Sequence, residues 1–152
     1  MKAKQVHGDP KTFVVVLATD EEASEQLLAF AKQYRPGSAS FTGIGAFQKC
    51  VLGYFDWYEK RYLENPIDDQ VEVLSLVGNL SWVKDEPKLH AHVVVGRRDG
   101  TAHGGHLLKG WVRPTLEVVL VESPAHLQRQ LDPQSKIPLI RLDASQPGKE
   151  QP

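Results

Sequence analysis

Three histidines carry the most chemistry in this sequence: His90 and His92 in the run LHAHVVVG, and His106 directly after Gly104-Gly105. Residues two apart on an extended strand leave the same face, about 6.6 Å apart along the chain. Two imidazoles so placed can converge on one ion through metal–nitrogen bonds of about 2.0–2.1 Å. Asp99-Gly100 is a hairpin signal, and counting from that turn sets His106 roughly opposite the His92 region. Neutral imidazoles favour zinc, and also nickel, copper or iron, over the oxygen-seeking magnesium and calcium. Three protein ligands leave a coordination position open, as catalytic zinc sites do, whereas a closed structural site needs a fourth ligand. His103 is the obvious spare, but three residues before His106 it points to the opposite strand face unless the glycines bulge. Glu72 and Glu117 are candidate acceptors that can hold a ring tautomer. The same His-x-His spacing also fits two imidazoles bonded to water or to a backbone carbonyl.

The elements that must position these groups follow from the pattern around them. Thr12 to Ala18 is a β-branched run that reads as a buried strand. Thr19 to Glu22 has the Ser/Thr-x-x-Glu form of a capping box, with Thr19 as the cap of a helix over Asp20 to Tyr34. Ala23, Leu27, Phe30 and Ala31 form its apolar stripe, and Pro36-Gly37 stops it. Two strands, Ser38 to Ile44 and Val51 to Tyr58, are expected to flank a turn at Gly45-Ala46. The glycines of GIGA lack the third glycine and the Lys-Ser/Thr of a phosphate loop, which favours a bend or bulge. Gln70 to Val83 reads as the longest strand, interrupted at Gly78-Asn79, with Val71, Val73, Ser75 and Val77 on one face. Further strands are expected at Lys88 to Gly96, Thr101 to Leu108, Thr115 to Glu122 and Ile137 to Leu142, with a helical turn at His126 to Leu131. Trp57, Trp82 and Trp111, with Tyr54, Phe55 and Tyr58, read as core or subunit contacts rather than a stacking platform.

A chain of 152 residues with 41% hydrophobic and 24% charged residues fits one globular domain. The expected division is a flexible N-terminus at 1–11, a single domain at 12–142 and a disordered tail at 143–152. A lone cysteine, Cys50, excludes an intrachain disulfide and is most simply a small buried hydrophobe. No apolar run reaches membrane-spanning length, and the polar start MKAKQVHGDPK has no signal core, so a cytoplasmic location is expected. A net charge of −1 lacks the basic footprint of an autonomous nucleic-acid binder. One helix and about seven strands in hairpin-like order make an α+β domain around a mainly antiparallel sheet.

Several separated motifs then agree with one family. GIGAFQKCVLGYFDWYEKRY (Gly43 to Tyr62), EVLSLVGNLS (Glu72 to Ser81), LHAHVVVGRRDGTAHGGHL (Leu89 to Leu107) and TLEVVL (Thr115 to Leu120) resemble, in order, the plant and prokaryote conserved (PPC) domain. That domain also occurs in plant AT-hook nuclear proteins. The resemblance covers about Thr12 to Leu142 and implies an α+β fold with flanking helices, assembled as a homotrimer. It also implies a metal site in prokaryotic members, whose ligands fall on His90, His92 and His106. The Arg-Gly-Arg-Pro core of an AT-hook is missing: Arg97-Arg98 stands beside Asp99, and Arg113-Pro114 stands alone. The resulting expectation is a trimeric, zinc-binding module that regulates in association with DNA or binds a small ligand. The alternative is a zinc-dependent hydrolase or lyase using a metal-bound water.

Overall fold

The structure, a computed structural model, describes residues 1–123 and 125–147. Along strand β2 (Lys11–Ala18), Phe13, Val15 and Leu17 are buried while the residues between them are partly exposed, the alternation of a half-covered sheet. Helix α1 (Ala23–Tyr34) buries the expected stripe of Ala23, Leu27, Phe30 and Ala31. Its cap differs from the sequence expectation. Asp20 has a positive φ of 71°, so the chain turns away before a helix can start at Thr19. Glu22 is the N-cap instead, its carboxylate accepting from the amides of Ser24 and Glu25. The Thr19 hydroxyl donates to the Pro114 carbonyl.

The remaining strands are β3 (Ala39–Asp56), β4 (Arg61–Ile67), β5 (Val71–Val83), β6 (Glu86–Gly96), β7 (Ala102–Glu122), β8 (Ala125–Leu131) and β9 (Pro138–Pro147), after an N-terminal β1 (Lys2–Gly8). The main hydrogen-bonded path is β1-β2-β7-β3-β5-β8-β9, with β4 paired to β3 and β6 bridging β5 and β7. Every named pairing is antiparallel except β5 with β8. The strands β3, β5, β6 and β7 thus close a circuit of pairing, which holds β6 and β7 in register at the histidines.

The structure corrects several sequence expectations. Residues 2–8, within the expected N-terminal segment, form an edge strand on β2. The proposed turn at Gly45-Ala46 does not form: β3 runs straight through, absorbing Gly43 to Gly45 as a register shift against β5. Gly45 has φ +155°, and its backbone packs directly on Thr115 and Leu116, where no side chain fits. Likewise the two expected strands around Pro114 are one. Leu116 pairs with Gly45 and Val112 with Phe47, so the proline falls in a gap of that ladder and its missing N–H leaves no bond unmade. Gly78-Asn79 does not interrupt β5, but a bulge between Val73 and Ser75 shifts its phase. Val71 and Val73 are buried, then Leu76 and Leu80, while Ser75 and Val77 are exposed. The segment expected to be helical at 126–131 is strand β8. In the expected tail, 143–147 continue β9, and 148–152 lie outside the described residues.

The helix packs against β6 and β7. Leu27 and Phe30 join Phe13, Leu17, Val93, Val95, Leu107 and Val118 in one core. Each fully buried Leu or Phe there contributes about 1.5–3 kcal/mol relative to an exposed one. On β6 the core-facing residues are Ala91, Val93 and Val95, so alternation turns His90, His92 and Val94 to the opposite face.

Candidate metal centre

Both histidine strands are fixed by their ladders. His92 pairs directly with His106 across β6 and β7, and His90 pairs with Asn79 across β5 and β6. Asp99 shapes the connecting hairpin by accepting from the Thr101 amide at 2.9 Å and hydroxyl at 2.7 Å. As a result one ligand atom from each of His90, His92 and His106 lies within 4.8 Å of the other two. The His90 and His92 Nε2 atoms are 3.2 Å apart. Two nitrogens bound tetrahedrally at about 2.1 Å would be about 3.4 Å apart, so the pair is already near the spacing of two ligands of one ion.

Electrostatics favour the ligand form of His90 and His106. Burial, aided by the charges of His90, His92 and Arg129, pushes the His106 imidazole down to about 4. Burial also lowers His90, with Arg129 and His92 adding to the effect. Neutral imidazoles have a lone pair to give a metal, and burial favours that neutral form at both His90 and His106. The buried Nδ1 of His106 has no hydrogen-bond partner, the kind of orphaned atom that a bound ion or its surroundings would satisfy. The donor set, the spacing and the protonation all fit a borderline-soft divalent ion.

The cluster is walled by residues that the sequence did not single out. Tyr62 of β4 stacks on His106 with ring centroids 4.6 Å apart, and Phe55 meets Tyr62 edge-on at 5.3 Å. Gly53 pairs with His106 and lets the Tyr62 ring approach, since a side chain there would meet Tyr62 Cδ1 at 2.9 Å. Arg129 of β8 is buried near by and donates to Asn79 Oδ1 at 2.8 Å. A polar Asn79 inside an apolar strand was the one signal of this wall. Reading HLQRQL as a strand would have been needed to place Arg129.

Other candidates fall elsewhere. His103 pairs with Val95 and lines a separate hollow of about 300 Å³ with Arg97, Asn65 and Gly104. Glu72 and Glu117 are exposed, paired with Gly96 and Val16 respectively, and belong to no cluster with the histidines. Of the aromatics, Trp82 is buried and donates to the Pro36 carbonyl at 2.8 Å. Tyr54, Trp57 and Tyr58 are exposed around the β3–β4 hairpin rather than packed in the core.

Several known proteins are similar to this chain. A solved structure from Bacteroides thetaiotaomicron, described as a "putative dna binding protein", matches with a TM-score of 0.87 and 27% identity, covering 93% of this chain and 97% of that one. A metal-containing protein from Archaeoglobus fulgidus matches with a TM-score of 0.76 and 31% identity, covering 86% and 93%. A curated relative from Synechococcus sp. (strain JA-3-3Ab), named Bifunctional protein GlmU, is 29% identical over 130 residues, which are 83% of this chain. The chain spans about a fifth (20%) of the length of that relative. The family model of the Plants and Prokaryotes Conserved (PCC) domain matches residues 4–124. Those residues include all three histidines, and the chain belongs to the PCC domain family.

Proposed function

We propose that this protein is a homotrimeric, metal-loaded binding module of the PCC family, in which His90, His92 and His106 hold a divalent transition metal, zinc first. The convergence of one ligand atom from each of the three rings within 4.8 Å carries this reading. The metal would supply a Lewis-acidic position, open to a small ligand. The metal-containing archaeal relative supports it. The test is elemental analysis of purified protein after dialysis: near one metal per chain supports the centre, and none refutes it.

Trimer assembly has its own support. Ile44, Leu74, Val77, Val94 and Val119 are all more than 40% exposed. Val77 is the cross-strand partner of His92, and Val94 follows His92 on the same face. Exposed apolar side chains such as Val77 and Val94 beside His92 suit an interaction surface. Native mass spectrometry should give a particle of three 17.0 kDa chains, and a monomer at micromolar concentration would refute the assembly.

The DNA-associated role is drawn from the name of the Bacteroides protein, while the net charge of −1 argues for a weak direct contact. Duplex binding that is absent at about 50 mM salt would exclude direct recognition, because phosphate contacts are strongest at low salt. The module reading is preferred to a zinc hydrolase or lyase because Glu72 and Glu117, the carboxylates considered as partners, stand away from the cluster. Among the described residues no helix is long and apolar enough to cross a membrane. A cytoplasmic site of action is proposed with this role.

A further inference from the structure

Next to the histidines stands a buried cation that has no counter-ion among the described residues. Arg129 is 8% exposed. Its guanidinium donates through Nε to the Ser81 hydroxyl, through Nη1 to the Pro138 carbonyl at 2.9 Å and through Nη2 to Asn79 Oδ1 at 2.8 Å. All three acceptors are neutral. Among the described residues no carboxylate lies within 4.0 Å of it. A guanidinium has five N–H donors in a rigid fork, so two remain for another acceptor.

The position of this charge ties it to the metal centre. Asn79, which holds the fork, is the cross-strand partner of His90. Ser81, which holds Nε, lies two residues further along the same face of β5. The positive charge reaches His90, His106 and the Tyr62 phenol. An uncompensated buried charge is strongly unfavourable, and a protein retains one where an anion is to be met. A planar fork with two free donors matches a planar carboxylate bidentately. A tetrahedral phosphate is served by several converging donors or a helix N-terminus, and α1 packs on the other face of β6.

We propose that Arg129 and the three-histidine centre together form a binding site for a small carboxylate ligand, walled by Tyr62 and Phe55. The inference rests on the metal reading above. The guanidinium selects negative charge and planar shape, the metal centre supplies the second point of attachment, and the aromatic pair covers an apolar portion of the ligand.

The test uses full-length protein loaded with cobalt(II), whose visible bands report on what occupies its coordination sphere, titrated with acetate at pH 7. Wild type should show a saturable spectral change. Arg129→Gln should bind cobalt at the same stoichiometry but require at least about tenfold more acetate. Where Arg129→Gln loses its fold by circular dichroism, Arg129→Lys keeps the charge without the fork, and should weaken acetate by about threefold. Equal acetate affinity in wild type and the folded variant, or no spectral response in cobalt-loaded wild type, overturns the carboxylate site and leaves the metal centre standing. A wild type that takes up no cobalt overturns both.

Discussion

Gly78→Ala is a sharp test of how the sheet holds the three histidines of the proposed metal centre. Gly78 pairs with Ala91, one residue from His90, and the two strands approach with no room for a side chain. A methyl group at 78 would collide with the His90 carbonyl oxygen and lie 2.5 Å from Phe41 Cζ and 3.0 Å from Ala91 Cα. Carbon atoms in contact prefer about 3.5–4.0 Å, so the Phe41 ring must retreat by roughly 1 Å and β6 must shift at His90. Overpacking of this size costs about 1–3 kcal/mol. For a chain of this length that lowers the melting temperature by about 2–12 °C. Metal ligation tolerates displacements of about 0.2 Å, so the same shift should weaken zinc by about 10- to 100-fold. Gly104→Ala is the control. It lies two residues before His106, yet its methyl group would meet only Val93 O at 3.4 Å and Val94 Cγ2 at 3.5 Å. Thermal unfolding and competition with a chromophoric chelator measure both effects. The reasoning is refuted if Gly78→Ala matches wild type in both assays, or if Gly104→Ala is impaired as badly.

Three more outcomes follow from the same structure. Glu22 is buried and accepts from Ser24 N, Glu25 N and, at 2.8 Å, Gly110 N. Glu22→Ala loses a cap worth about 1 kcal/mol and strands a buried amide at about 1–3 kcal/mol, so urea denaturation should report a loss of about 2–4 kcal/mol, with Glu22→Gln milder. Burial pushes the Cys50 thiol up to about 11 from an ordinary 9.0. The native protein should therefore resist iodoacetamide at about pH 8 until denaturant is added. Because the folded state keeps its proton longer than the unfolded one, this group's share of stability is intact below pH 9.0 and declines as pH rises toward 11; stability that rises over that window would contradict the assignment. Zinc at about 100 times its dissociation constant should add about 2.7 kcal/mol, so a chelator should lower the melting temperature by about 5–11 °C. The His90/His92/His106 triple alanine variant should not respond to it.

The histidine cluster was legible because its determinants are local. Alternation sets His90 beside His92, and the Asp99-Gly100 turn fixes the register that brings His106 opposite. The helix stripe was equally plain, since Leu27, Phe30 and Ala31 follow a 3.6-residue period. What local patterning hides is continuity. Gly43-Gly45 and Pro114 look like breaks, but the neighbouring strands carry β3 and β7 through them as bulges. The phase shift at Ser75 has the same origin. Arg129 was hidden for a different reason. HLQRQL has no decisive period, and only its pairing with β9 and β5 makes it a strand that delivers a guanidinium to the histidines.

The central claim is that three histidines on β6 and β7 hold a metal ion. Elemental analysis of the purified wild type beside the His90/His92/His106 triple alanine variant tests it most directly. The account predicts close to one transition-metal ion per wild-type chain and none in the variant. Equal, substoichiometric metal in the two proteins would contradict it.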